Sequence, residues 1–378
     1  MEKIVSIFSG IDILGQGFIK QYELTLAVEL DKTAANILKI NKEKYHPNLT
    51  IWNRDIYSIK DEEIAQWKGV SGLIGGPPCQ PFSPGKHGFD PSDERIKGLI
   101  HYLRWTRIIQ PEFFIFENTF GLLQGDKKII FNYFKDEAEK LGYIVNFKIL
   151  NAHDYGNVQE RKRLIVVGVH KTANWTFNFP SPVADNQKKY VRDILRDEPL
   201  GDCVFFSKER ASIMKYVPEG GNWKSLPTDE LKIKAMGEKN FYSPEGGMTG
   251  AYRRLHRDKP CPTIMTSPAQ RNTLLTHPIE NRPLSVAECA RGMGIPDDYQ
   301  LEGAISNKYK VIGNAVPLEL SQAIAQAIAD SKKQKSLNDT KEENEWQQLS
   351  LLFEEEKQNQ LEPVPQGKEN WEQLKLLL

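Results

Sequence analysis

The sequence predicts a doubly wound α/β sheet, Rossmann-like in plan, with a smaller irregular module inserted late in the chain. Three observations lead there. Apolar runs of strand length alternate with stretches of helical spacing as far as about His170. Beyond that point the texture changes to short segments broken by proline, glycine and tryptophan, as in "NWTFNFPSP" and "YSPEGGMTG". Helical spacing then returns at "RPLSVAECARGMGIP".

Taken in order, "KIVSIF" reads as a buried strand and "SGIDILGQG" as a glycine-containing turn into a helix. "YELTLAVEL" is a second strand, and "DKTAANILKINKEK" is a helix with apolar spacing of three and four, which completes a βαβ opening. "GLIGG", "FFIFEN", "IVNFKIL" and "RLIVVGV" supply further strands, with "IKGLIHYLRWTRIIQ" and "KKIIFNYFKDEAEKLG" as helices between them. The expected organisation is a core over 1–170, the irregular module over 171–282, helices returning to the core over 283–330, and a flexible charged tail over 331–378.

Composition excludes several classes. No run of about 18 apolar residues exists and the first residues do not read as a secretory signal, so a cytoplasmic protein is expected. Cys79, Cys203, Cys261 and Cys289 are far apart and form no CxxC pair, which argues against a zinc ribbon or a disulfide framework. With 50 basic and 50 acidic residues, no global field draws the chain to nucleic acid. Ten acids and seven lysines lie from Ser331 onward, leaving 43 basic and 40 acidic residues in the body. Two basic clusters stand out there, "QERKR" at 159–163 and "YRRLHRDK" at 252–259; each reads either as a solvated face or as a phosphate contact.

Strand ends carry the candidate chemistry. Gly10 ends the first strand and Glu29 the second, the arrangement of a nucleotide-type cofactor: glycine admits the ligand to the backbone, and a carboxylate accepts from ribose hydroxyls. This fits NAD and S-adenosylmethionine alike. Asp55 in "NRDI" offers a third contact, to an adenine amine, or reads equally as a helix N-cap. Cys79 and Glu117 both fall just past strands, where such sheets keep their sites. A thiol and a carboxylic acid there can face one small substrate, and Pro77 and Pro78 restrict the backbone before the thiol.

"GGPPCQPFS", "FENT", "QERKR" and "GNAVP", together with "FSGIDILGQGF", "AVELD", "RDI" and "RPLSVAECARGMGIP", resemble in order and spacing the DNA (cytosine-5)-methyltransferases over roughly residues 4–328. Asp12 and Ile13 stand where that family carries two glycines, and Thr119 where it carries valine. The resemblance implies a methyltransferase that takes a methyl group from S-adenosylmethionine and places it on C5 of a cytosine flipped out of duplex DNA. Cys79 would attack C6. Glu117 would stabilise charge at N3 through a raised pKa; Arg163, and Arg161 through its support of Glu117, would engage the O2 side; Asn118 would brace the Pro-Pro-Cys loop. Phe8, Gly10, Glu29, Leu30, Asp55, Ile56, Asn314 and Val316 match cofactor positions, and Ser83, Arg95, Arg253 and Arg254 DNA contacts. The irregular module corresponds to a target-recognition region. An RNA cytosine-5 methyltransferase, less well an NAD-dependent oxidoreductase, and a catalytically dead DNA-binding relative, against which Cys79, Glu117, Arg161 and Arg163 argue, are the competing readings, and a cognate restriction nuclease is a possible companion.

The tail holds a separate signal. "WQQLSLLF" (346–353) and "WEQLKLLL" (371–378) share one spacing, the first preceded by "ENE" and the second by "EN". Their leucines, Leu349 and Leu351 in one and Leu374 and Leu376 in the other, sit in a pattern resembling the peptides by which bacterial proteins dock on the replication sliding clamp.

Overall fold

A computed structural model describes residues 1–78, 94–125, 127–242 and 248–333, the side chains of residues 94 and 95 excepted. Its centre is a mixed sheet built from β1 (Glu2–Ile7), β2 (Tyr22–Val28), β3 (Thr50–Trp52), β4 (Gly72–Gly75), β5 (Phe113–Thr119), β6 (Tyr143–Asn151) and a long strand at Lys162–His170; a short strand, β7 (Gln159–Glu160), precedes that long one, which is therefore β8. The sheet order is β3-β2-β1-β4-β5-β8-β6. β1 to β5 are mutually parallel, and β8 runs antiparallel between β5 and β6. The strand runs read from sequence are all present. The reversal of β8 is not encoded in its apolar pattern, since a strand buried on both faces reads the same in either direction.

Helices cover both faces. On one lie α3 (Asp61–Ala65), α4 (Glu94–Ile109) and α5 (Lys127–Lys140); on the other, α1 (Ile13–Gln16), α2 (Lys32–Tyr45) and, from the far end of the chain, Leu318–Lys333. Alternating side chains divide the two cores: Val5, Ile7, Phe114 and Phe116 point to the first, and Ile4, Phe113 and Ile115 to the second. Tyr102 on α4 meets Phe114, Phe116 and Phe134 edge-on at centroid distances of 5.4–6.0 Å, so the first face is closed by interlocked rings. Asp31 starts α2 by accepting from the amides of Thr33 (2.9 Å) and Ala34 (3.2 Å).

The irregular stretch contains α6 (Lys208–Met214), α7 (Asp229–Met236), α8 (Glu238–Phe241) and the short strand β9 (Cys261–Pro262), followed by α9 (Val286–Gly292), α10 (Ile305–Asn314) and α11 (Leu318–Lys333). A self-contained core joins Ile213, Met214, Val217, Trp223, Leu226 and Leu274, with Phe206 at its margin. By contrast Trp175 and Phe177 pack into the central sheet layer, and Val191, Ile194 and Cys261 share a cluster with α9 and α10. The independent core is thus narrower than 171–282. Ser331–Lys333 still belong to α11, and buried Ser331 accepts from the amide of Asn178 at 3.0 Å, so the body extends slightly beyond residue 330. No helix among the described residues is long and apolar enough to cross a membrane.

Candidate active site

The parallel strands deliver their carboxyl ends to one edge, and the reversed β8 delivers its beginning there. Register pairs Thr119 with Arg163 and Glu117 with Ile165, which places Glu117 and Arg163 on one face as diagonal neighbours. Arg163 Nε lies 2.9 Å from Glu117 Oε1, and both side chains are mostly buried. Asn118, one residue on, turns the other way, donates from Nδ2 to the carbonyl of Pro77 at 3.2 Å, and accepts from the amide of Thr119 at 2.8 Å. β5 therefore holds the acid with one residue and the Pro77-Pro78 turn with the next.

Gly75 and Gly76 make this closeness possible. A Cβ at Gly76 would stand 2.6 Å from Glu117 Oε2, and one at Gly75 would collide with the carbonyl of Ile7. Cys79 follows directly; it and Ser83, with the side chain of Arg95, lie outside the described residues, as do Leu349, Leu351, Leu374 and Leu376. Pro77 packs beside Gly98 of α4 and near Phe8, so the approach to Cys79 is fixed from three elements.

The basic stretch at 159–163 obeys strand alternation. Glu160 and Lys162 are exposed, whereas Gln159 and Arg161 are buried and turn inward with Arg163. Arg161 differs from its expected role. Its Nη1 donates to the carbonyl of Ile264 (2.9 Å) and its Nη2 to those of Gly313 (2.8 Å) and Ala315 (3.1 Å), and it makes no hydrogen bond to Glu117. Burial, with Arg163 nearby, lowers its pKa to about 9. Gln159, at the head of the same motif, has a structural role: its side chain reaches the carbonyl of Gly292 (2.9 Å) and receives the amide of Ile264 (3.1 Å). The signal that finds it is the period of two.

The other end of the edge is the candidate cofactor cleft. Phe8, Gly10 and Asp12 all take left-handed φ, at 54°, 56° and 50°, an arrangement that costs about 1–2 kcal/mol for each side-chain-bearing residue and is characteristic of ligand loops. Space at Gly10 is open. Glu29 accepts the amides of Gly10 and Asp31, each at 2.7 Å, so its carboxylate frames the loop and keeps lone pairs for a hydroxyl ligand. Burial raises its pKa. Leu30 is 66% exposed beside it, free to cover an aromatic ring. Asp55 caps the turn that begins at Ile56, accepting from Tyr57 at 2.9 Å, so the capping role is real and one oxygen remains. Ile56 and Val316 are buried, and Asn314 is exposed at the end of α10. An open backbone, a framing acid and an exposed apolar cover fit a nucleoside-bearing methyl donor.

In the irregular module, Arg253 donates to the carbonyl of Leu274 at 3.0 Å and is partly buried. Arg254 is a correction: its guanidinium is buried and spent on the carbonyls of Met214, Val217, His277 and Glu280, so it braces the module from within and cannot reach a phosphate. The basic run hid this because hydrogen bonds to carbonyls and to phosphates use the same donor.

The reversed strand, the acid–arginine pair at the carboxyl edge and the open glycine loop beside it lie together at one end of the sheet. The model of the C-5 cytosine-specific DNA methylase family matches residues 2–330, and the chain belongs to that family. It is similar to the type II methyltransferase M.Sau96I of Staphylococcus aureus, at 36% identity over 310 residues covering 80% of this chain and 69% of the relative. It is similar also to M.PspPI of Psychrobacter sp. (strain TA137), at 36% identity covering 86% and 78%. Among solved structures, a putative DNA modification methyltransferase encoded within an E. coli prophage matches with TM-score 0.66 and 21% identity over 88% of this chain and 100% of that one. A Spodoptera frugiperda DNMT2 variant matches with TM-score 0.64 and 15% identity over 87% and 100%. The protein is a DNA (cytosine-5) methyltransferase, which sets aside the oxidoreductase reading.

Proposed function

We propose that this enzyme methylates C5 of a cytosine flipped out of one short duplex DNA sequence, through a transient bond between Cys79 and C6. The observation that carries the reading is the Glu117–Arg163 pair beside the Pro77-Pro78 approach to Cys79. Bound S-adenosylmethionine supplies an electrophilic methyl group on a sulfonium. Cys79, as thiolate, adds to C6 and pushes electrons toward C5 and N3. Glu117 meets the charge at N3, and Arg163, whose Nη1 donates to the carbonyl of Lys162 at 2.9 Å, fixes that carboxyl through Nε and offers Nη2 to the O2 side. C5 takes the methyl group, its proton leaves to a base, and the thiolate is expelled as the ring double bond re-forms. Asn118 holds the turn that positions the sulfur.

The donor is held by Phe8, Gly10, Glu29, Leu30, Asp55, Ile56, Asn314 and Val316 around the loop and the end of α10. A base inside a duplex is out of reach of Cys79, so flipping, at a cost of a few kcal/mol, precedes the attack. Ser83 and Arg95 contact the DNA, while Arg253 and the module within 171–282 read the major groove. The enzyme works in the cytoplasm on the nucleoid, either beside a cognate restriction nuclease or as a stand-alone modification enzyme. Through its duplicated tail motif it docks on the replication sliding clamp, which raises its local concentration on newly made DNA.

Expression of wild type and Cys79→Ala in a host lacking cytosine methylation, followed by bisulfite sequencing, tests the reading. Methylation in a single context with wild type alone is the expected result. Methylation of tRNA and not DNA by purified enzyme would favour the RNA alternative, and methylation retained by Cys79→Ala would refute the covalent route.

A further inference from the structure

Asp12 has no part in the chemistry above. It follows Gly10 by two residues, holds φ at +50° and is 2% exposed. Its Oδ1 accepts from the Ser6 hydroxyl (2.7 Å) and the Gly15 amide (3.3 Å), while Oδ2 is buried with no hydrogen-bond partner among the described residues. Asparagine caps a helix as well as aspartate does, so capping α1 does not account for the charge. Keeping that charge buried is costly unless something offsets it. Glu29 sits on the other side of the same loop, bound to Gly10, and among the described residues neither acid has an ion-pair partner. A buried acid and a partly buried one, without an internal cation among the described residues and beside an open ligand loop, are complementary to a cationic ligand.

We propose that Asp12 makes the cofactor site selective for charge on the ligand's sulfur, favouring the sulfonium substrate over the neutral thioether product and so promoting exchange after each transfer. This rests on the methyl-donor reading. When the methyl group leaves, the S–CH₃ electron pair stays on sulfur, the positive charge disappears, and the attraction to Asp12 goes with it. The groups facing Asp12 are Ser6 on β1, Gly15 on α1, Glu29 after β2, and Tyr299, whose hydroxyl donates to the carbonyl of Ile11 at 2.8 Å. Burial, reinforced by Glu29, lifts the Asp12 carboxyl to about 7. Above that value the carboxylate predominates and attracts the sulfonium; below it the proton must first be released. Affinity for the substrate therefore rises with pH through about 7, while affinity for the product does not.

Titration calorimetry with S-adenosylmethionine and S-adenosylhomocysteine, at about pH 6 and about pH 8 on either side of that value, tests this. The ratio of product to substrate Kd should rise about fivefold or more across the range for wild type, with proton release on binding the substrate alone. For Asp12→Asn the ratio should be smaller at the higher pH and flat. A wild-type ratio that ignores pH overturns the proposal even where the variant does not fold, and so does an Asp12→Asn protein with the wild-type profile. Equal binding of both ligands at every pH defeats the selectivity alone, whereas binding of neither defeats the methyl-donor reading as well.

Discussion

A methyl group added at Gly76 would press on Oε2 of Glu117, whose other oxygen is held by Arg163. The carboxyl would have to turn, and an acid misplaced by a fraction of an ångström loses much of its effect on a transition state. Gly76→Ala is expected to lower kcat about tenfold or more while leaving the thermal midpoint within about 2 °C, measured by steady-state methylation and melting on one preparation. Gly76 was legible in the sequence only as part of a turn. Its purpose depends on Glu117, 41 residues away, and no local pattern reports a cross-strand clash. The place of Glu117 at the end of β5 was legible because "FEN" marks that strand end locally.

Among the elements, β7 and β9 are the shortest strands and join the most. Gln159 pairs with Cys261 and Glu160 with Pro262; the Cys261 amide donates to Val158 at 2.9 Å, and the Thr263 hydroxyl to Glu160 at 2.7 Å. Arg161 extends the seam to Ile264, Gly313 and Ala315. At Gly313 a Cβ would stand 2.5 Å from the backbone at Met265 and Thr266, so α10 and the module meet main chain to main chain. Removing the guanidinium leaves three buried carbonyls without their donor. Arg161→Ala is expected to cost about 3 kcal/mol, with Arg161→Lys recovering only part, as read by urea unfolding. An active, undestabilised Arg161→Ala would contradict the bracing role. Strand positions were readable from apolar runs, but this seam was not, because a two-residue strand carries no periodicity and its partner lies about a hundred residues on.

At the scale of the molecule, α11 ends on the far side of the sheet from the site. Lys332 bridges Glu2 at the start of β1 (2.6 Å) and Glu112 just before β5 (2.7 Å), both at the amino edge. Residues 334–378, which carry the two "QLxLL" repeats and lie outside the described residues, follow in sequence on this end of α11. A chain truncated after Lys333 is therefore expected to keep the wild-type kcat and KM on a short duplex, and to lose retention on an immobilised bacterial clamp. Leu349→Ala with Leu374→Ala should behave in the same way, and unchanged clamp retention would refute the docking. The doubly wound plan was legible as a whole because both faces of the sheet impose their own apolar spacing. The reversed strand that brings Arg163 to Glu117 was not, since direction is set by tertiary pairing.

The seam between β7 and β9 also bears on how such a protein changes over generations. It closes the chain just before β8 and again at Cys261, so much of the intervening module, with its own small core, is held at its return by main chain and by two buried side chains, Gln159 and Arg161. Loops inside that span can be lengthened, shortened or exchanged without disturbing the register of Glu117 and Arg163. The span can thus change as a cassette, while the strand edge that holds Glu117 and Arg163 is inherited intact.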